Sequence, residues 1–280
     1  MRVIGVGDNV VDKYLYKKMM YPGGNALNFS VYAKQLGMDT AYLGVFGNNQ
    51  AANHIIETLQ SLEVDITHCR KLVGENGYAS VDLIDGERVF IGGNEGGVQK
   101  DHPIILSKQD LNYIKTFGIA HSSIYSGMEL ELQKLKDIGI LVSFDFSNEY
   151  NDEILENVCK NVDFSLLSCS QLQEGEVEKL LKRVHSYGSE LAIGTMGSRG
   201  SMVYDGQEFY RQEPYFVQPV DTLGAGDSFF TGFILDYLLA KQENTNIPKA
   251  VLLKRSLGKG AKFAAKTCLV EGAFGCGISF

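Results

Sequence analysis

The densest group of residues able to do chemistry is Asp221-Thr222-Leu223-Gly224-Ala225-Gly226-Asp227-Ser228-Phe229. Small residues at Gly224, Ala225 and Gly226 let backbone N–H groups converge on one cavity, and the apolar run Phe229 to Leu239 describes a buried helix behind them. Free N–H groups at the positive end of a helix dipole make an anion hole, suited to a phosphate whose charge grows during transfer. Asp227, on the first turn, faces the same space and could take a proton from an attacking hydroxyl. A tight glycine turn with Asp227 as an ordinary cap is the alternative. A second glycine cluster, Gly23-Gly24-Asn25-Ala26-Leu27-Asn28, also opens a helix, but with neutral amides one turn apart. Amides suit hydroxyls rather than phosphates, which is the chemistry of a sugar cradle, although Asn25 or Asn28 could instead be a cap or turn residue. Asp12, in Gly5-x-Gly7-Asp8-Asn9-x-x-Asp12 after the first predicted strand, could accept from further hydroxyls.

These residues need elements to hold them. Short apolar runs predict strands over Val3–Val6, Ala41–Phe46, Gly118–His121, Ile140–Asp145, Phe164–Leu167 and Leu191–Thr195. Amphipathic stretches predict helices over Asn25–Leu36, Asn49–Leu62, Ser107–Lys115, Leu130–Asp137, Asp152–Lys160, Gln173–Ser186, Asp227–Ala240 and Ile247–Thr267. Ser107-x-x-Asp110 resembles a capping box. The alternation implies an α/β fold, a mostly parallel sheet with helices on both faces, in one domain over residues 1–280. Two segments depart from it. Tyr78–Ile84 and Arg88–Ile91 flank Asp85-Gly86 as a β-hairpin, and Val10–Tyr21 is short and not helical in pattern. Together, over about 10–21 and 77–98, they could form a small β-sheet lid, or a surface excursion without function. The hairpin puts Val81, Leu83 and Val89 on faces that two strands alone cannot hide from water. The cover expected is either Val10–Tyr21 or the same hairpin of a second chain, which would make a homodimer through the lid.

Composition removes other classes. Of 280 residues 44% are hydrophobic and 21% charged, with only 5 prolines, which excludes disorder. A net charge of −8 without a basic run argues against nucleic acid as a partner. Cys69, Cys159, Cys169, Cys268 and Cys276 show neither C-x-x-C spacing nor a neighbouring histidine at ligand spacing, and read as reduced, mostly buried thiols of a cytoplasmic chain. The start turns polar at Asp8 before a signal-peptide core could form, and the most apolar stretch, Phe229 to Ala240, is interrupted by Asp236, so no membrane association is expected. A dinucleotide fingerprint fails because Val10 stands where its third glycine belongs, and Gly258-Lys259-Gly260 lacks the rest of a P-loop. No H-E-x-x-H includes His54, His68, His102, His121 or His185, which are read as structural.

Gly23-Gly24-Asn25-Ala26-x-Asn28 together with Asp221-Thr222-x-Gly224-Ala225-Gly226-Asp227-Ser228-Phe229 resembles the two signatures of the ribokinase-like (PfkB) carbohydrate kinases. The resemblance extends through Gly7 to Asp12, Leu43-Gly44-x-Phe46-Gly47, the hairpin and Thr195-Met196-Gly197-Ser198-Arg199-Gly200. It implies ATP-dependent phosphorylation of a sugar hydroxyl, magnesium arriving with ATP. By the same similarity Asp227 is the base, Gly224, Ala225 and Gly226 hold the transferring phosphoryl group, and Thr195, Gly197 and Gly200 line the nucleotide side. Asp12, Gly24, Asn25 and Asn28 would hold the sugar. One departure stands out: many relatives carry Asn-x-x-Glu where this chain has Ser168-Cys169-Ser170-Gln171, so Glu174 or another acid would substitute, or ATP and water hold the metal, and no metal ligand is assigned. Gly7-Asp8-Asn9-x-x-Asp12, Gly23 to Ala26, Arg88-Val89-Phe90, Glu95-Gly96-Gly97-Val98, Phe144-Asp145-Phe146-Ser147 and the Ser168 to Gln171 departure together are most similar to the branch of the family that phosphorylates the sugar of a glycated lysine. Glu95 and Arg88 would then contact the amino-acid part of the substrate, with Arg88 as a solvated hairpin charge the alternative. Gly24-Asn25-x-x-Asn28 also resembles the ketose-binding segment of ketohexokinases, which favours a ketose over a nucleoside. Fructokinase-like, ketohexokinase-like and ribokinase-like activities, and a sugar-binding regulator without catalysis, remain as alternatives.

Overall fold

The structure, a computed structural model, describes residues 1–84, 87–243 and 246–280, and of residues 83, 84, 87 and 88 the backbone alone. In chain order the strands are β1 (Arg2–Val6), β2 (Val10–Tyr14), β3 (Met19–Gly23), β4 (Asp39–Leu43), β5 (Val45–Phe46), β6 (Arg70–Lys71), β7 (Gly77–Ile84), β8 (Glu87–Gly93), β9 (Ile119–Ser123), β10 (Leu141–Asp145), β11 (Phe164–Ser168), β12 (Leu191–Thr195), β13 (Ser201–Tyr204), β14 (Phe209–Gln212) and β15 (Ile278–Ser279). The helices are α1 (Asn25–Gln35), α2 (Gln50–Ser61), α3 (Val98–Asp101), α4 (Lys108–Ile114), α5 (Leu132–Asp137), α6 (Asp152–Cys159), α7 (Glu174–Ser186), α8 (Ala225–Gln242) and α9 (Lys249–Thr267).

The main sheet has the order β14-β13-β12-β11-β10-β9-β1-β4, parallel from β12 to β4 and closed at one edge by the antiparallel β13 and β14. Its strands are buried on both faces because successive side chains alternate. Val3, Ile119, Leu191 and Ile193 pack with Phe29 of α1, Phe230 and Phe233 of α8 and Leu253 and Leu257 of α9. Ile4, Ala120, Val142, Phe144 and Ala192 face the other way, onto Leu132, Leu135, Leu155, Val177 and Leu181 of α5 to α7. Each such buried aliphatic or phenyl side chain contributes roughly 1.5–3 kcal/mol. The cap expected at Ser107 is present, with Ser107 and Asp110 bonding each other's backbone N–H.

The second sheet has the order β15-β3-β2-β7-β8. The 10–21 segment therefore becomes the strands β2 and β3, and β2 lies parallel to β7 (Val10 to Gly77, Tyr14 to Val81). The antiparallel register pairs Val81 with Phe90 and Asp82 with Val89, so Val81 and Val89 point to opposite faces. Val81 is covered within the chain by Tyr14 and Tyr21, whereas Val89 is exposed. The turn expected at Asp85-Gly86 and the Leu83 side chain lie outside the described residues.

Two expectations need correction. The single strand over Ala41–Phe46 is two: β4 ends at Leu43, and β5 pairs with β6 instead, because Tyr42 folds its ring across Gly44 and the Gly44 carbonyl accepts from Arg70 N–H. The cysteines are free, but only Cys159 and Cys169 are buried. Cys69 and Cys268 are half-buried and Cys276 is exposed, lying on the irregular segment after α9. Among the described residues no helix is long and apolar enough to cross a membrane.

Candidate active site

Parallel strands deliver their C-terminal ends to one edge, and there β1, β9, β10 and β11 end at Val6, Ser123, Asp145 and Ser168. The N-termini of α1 and α8 point to the same edge, and the second sheet stands over it, enclosing a cavity of about 1280 Å³. Asp12, Gly24, Asn25, Asn28, Glu95, Gly224, Ala225, Gly226 and Asp227 all line it. Thr195, Gly197 and Gly200 do not. They stand beyond its rim, where Thr195 pairs in register with the lining residue Ser168. Gly200 has a packing cause, since a Cβ there would lie 2.0 Å from the Gln212 carbonyl of β14. The Arg88 side chain lies outside the described residues.

The start of α8 shows why its glycines are needed. Gly224 is the N-cap at φ 73°, and a Cβ there would lie 2.1 Å from Tyr32 Oη. A Cβ on Gly226 would meet nothing within 4 Å, so its surface faces open space. Ser228 N–H closes the first helical bond onto Gly224 and the Ala225 N–H, expected among the anion donors, is taken by Thr222 O (3.2 Å), while the N–H groups of Gly226 and Asp227 have no partner among the described residues. The head of this loop is fixed by Asp221, whose carboxylate accepts from Leu223 N–H (3.1 Å), Gly272 N–H (2.9 Å) and Tyr14 Oη of the second sheet (2.6 Å).

At α1 the cap comes from another segment. Gly24, at φ 113°, has no side chain to offer, and Asp8 instead accepts from Asn25 N–H (2.6 Å) and Ala26 N–H (3.2 Å), and from Ser123 and Ser126 hydroxyls at 2.8 Å each. With the backbone capped by Asp8, both amides are released for other partners. Asn25 Nδ2 donates to Asp145 Oδ2 and Asn28 Nδ2 to Asp227 Oδ2, both at 2.7 Å. Among the described residues Asn28 Oδ1 is buried without a partner, an acceptor left over.

Asp145 is the principal residue the sequence reading left without a role. Burial raises its carboxyl to about 6, opposed by bonds from Ser147 N–H and Asn25. Burial first, then the negative charge of Asp145, hold Asp227 well above the usual carboxylate range. The two acids therefore titrate as a pair, one readily keeping a proton while the other is ionised. The signal that could have found it is an acid at the C-terminal end of a central parallel strand. Asp12 is pushed up to about 7 by burial alone. His121, stacked on Phe29 and bonded to Ser143, is held neutral by burial, down to about 3, in keeping with a structural role.

The donor set does not fit a protein-built magnesium centre. Among the described residues no three His, Cys, Asp or Glu converge, Gln171 is uncharged, and Glu174, the substitute considered, is paired with Arg211 away from the cavity.

A covered parallel sheet thus brings an amide-bearing helix start and a glycine-rich one to a single cavity. The fold is shared with Arabidopsis thaliana ribokinase complexed with ribose and ATP, at a TM-score of 0.81 and 21% identity over 98% of this chain and 94% of that one. The model of the pfkB family of carbohydrate kinases matches residues 17–276. Fructosamine kinase FrlD of Bacillus subtilis is 39% identical over 100% of this chain and 95% of its own length, and fructoselysine 6-kinase of Escherichia coli is 31% identical over 96% and 98%. The chain belongs to the pfkB family of carbohydrate kinases, and is an ATP-dependent sugar kinase.

Proposed function

We propose that the chain transfers the γ-phosphoryl group of ATP to a hydroxyl of a ketose carried on an amine, a fructosamine, with fructoselysine the foremost candidate and Asp227 the general base. The observation that carries the catalytic part is the 2.7 Å bond from Asn28 Nδ2 to Asp227 Oδ2, which joins the amide-bearing helix to the start of α8 across the cavity. A sugar hydroxyl entering there would find Asn28 Oδ1 and Asp12 as acceptors and Asp227 as the proton acceptor. As the hydroxyl oxygen attacks the γ-phosphorus, its proton passes to Asp227 and the bond to the ADP oxygen breaks. The N–H groups of Gly226 and Asp227 supply fixed donors for the phosphoryl oxygens, so the work of the protein is positioning and charge stabilisation. Thr195, Gly197 and Gly200 would serve the nucleotide from the rim. Magnesium would be held by ATP phosphates and water. The names of the relatives at 39% and 31% identity support the fructosamine substrate.

The second sheet would act as a lid that excludes water from the transfer. Its outer face, with Val89 38% and Ile91 48% exposed, suits a lid-to-lid homodimer. ADP release measured over a panel of free ketoses, ribose and glycated amino acids tests the assignment. Turnover confined to free sugars would remove the fructosamine reading, and Asp227→Asn with wild-type turnover would remove the base.

A further inference from the structure

Among the described residues lining the cavity, the ionisable acids are Asp8, Asp12, Glu95, Asp145, Asp221 and Asp227, and Lys100 is the single lysine or arginine. Of these, Asp8, Asp12, Asp145 and Asp221 are buried and Asp227 is half-buried. Glu95 and Lys100 differ: their side chains are 73% and 56% exposed, at the lid side of the cavity, and among the described residues their ion pair is with each other.

Both sit on anchored backbone. Glu95 is at φ 54°, a left-handed conformation that a non-glycine residue keeps only where its surroundings impose it. Here the turn is closed by Gly97 N–H onto Asn94 O, and Asn94 itself accepts from Tyr78 N–H (2.8 Å) and donates to Asn76 O (2.9 Å). Lys100 follows Val98 and Gln99, both buried, with Gln99 Nε2 bonded to Ser126 O. Two opposite charges are thus presented side by side at the cavity rim, as an exposed pair that adds little to folding and opens at little cost.

A ligand with adjacent opposite charges would replace this one ion pair by two. We propose that Glu95 and Lys100 form a recognition site for the zwitterionic α-amino-acid head group of the glycated substrate, its carboxylate on Lys100 and its ammonium on Glu95. The sugar would lie at Asn28 and Asp227, and the lysine methylenes would cross the cavity past Phe90 and Tyr125, two exposed rings that line it. The site rests on the fructosamine reading given above, and it assigns Lys100, which the sequence left without a role.

The test compares kcat/KM for Nε-fructosyl-lysine and for fructosyl-n-butylamine, which keeps the linkage and lacks the head group, in the wild type, Glu95→Gln and Lys100→Met. The wild type should prefer fructosyl-lysine by about tenfold or more, and each variant should bring that ratio to within about threefold of unity. A wild type without preference, or variants that keep it, overturns the head-group site and leaves a fructosamine kinase standing. A Lys100→Met whose effect falls on the KM for ATP places Lys100 on a phosphate and equally overturns the site. If the wild type turns over a free ketose but neither glycated amine, the substrate reading fails and the head-group site falls with it.

Discussion

Asp12→Asn should make the ligand-free protein more stable and the enzyme worse. Asp12 lies on β2 with 5% of its surface exposed, and burial, unopposed by a bond or cation among the described residues, raises its carboxyl from 3.8 to about 7. A raised folded-state value means that the folded chain holds its proton more tightly than the unfolded chain does. The contribution of Asp12 to stability is then most favourable below about pH 4, falls as pH rises toward 7, and levels above that. Three units at 1.36 kcal/mol each set the full penalty at about 4 kcal/mol, and water entering the open cavity reduces it, so roughly 1–4 kcal/mol is expected. For a chain of this size that corresponds to a Tm gain of roughly 2–8 °C for Asp12→Asn at pH 8, shrinking to nothing near pH 4. Scanning calorimetry of both proteins from pH 4 to 8, without ligands, measures it. The same variant should lose about 1–3 kcal/mol of transition-state stabilisation, seen in kcat/KM for the sugar. A stability difference that does not change with pH, or one that favours the aspartate at pH 8, would refute the reasoning.

Asp227→Asn should keep the fold while kcat falls by about 10² or more. Because the base acts ionised, kcat/KM should rise with pH as the Asp145 and Asp227 pair loses its proton. Asp145→Asn removes the charge that raises Asp227 and should move that limb to lower pH; an unmoved limb means the two acids are not coupled. Asp8→Ala strips acceptors from two backbone N–H groups and two hydroxyls and should cost roughly 3–5 kcal/mol in urea unfolding, with a loss below about 1 kcal/mol ruling out the capping role. Val89→Asp should weaken self-association in sedimentation velocity with the fold intact, whereas Val81→Asp, inside the Tyr14 and Tyr21 cluster, should destabilise the chain itself; association unchanged in Val89→Asp removes the lid-to-lid dimer.

Local chemistry was legible in the sequence because its causes are local. A helix start is announced by residues within one turn of it, so α1, α4 and α8 began within two residues of where glycine, serine and amide placement put them. Alternation of apolar runs with amphipathic stretches specified a parallel sheet covered on both faces, and the glycine clusters marked the two helix starts that the fold brings to one cavity. The edge hairpin β13 and β14 went unread although Asp205-Gly206 marks its turn, because four-residue strands carry too little alternation to register. β15 has two residues and exists only because β3 offers an open edge. What the tertiary structure alone decided are contacts between distant segments. Asp145 and Asp227 meet because β10 ends and α8 begins at one sheet edge, and Asp8 caps α1 because β1 runs beside it. Tyr14 reaches Asp221 across 207 residues only because the second sheet folds back over the first. A side chain's type sets what it can bond, but burial and the neighbour it is given set its charge, and both are properties of the packed chain.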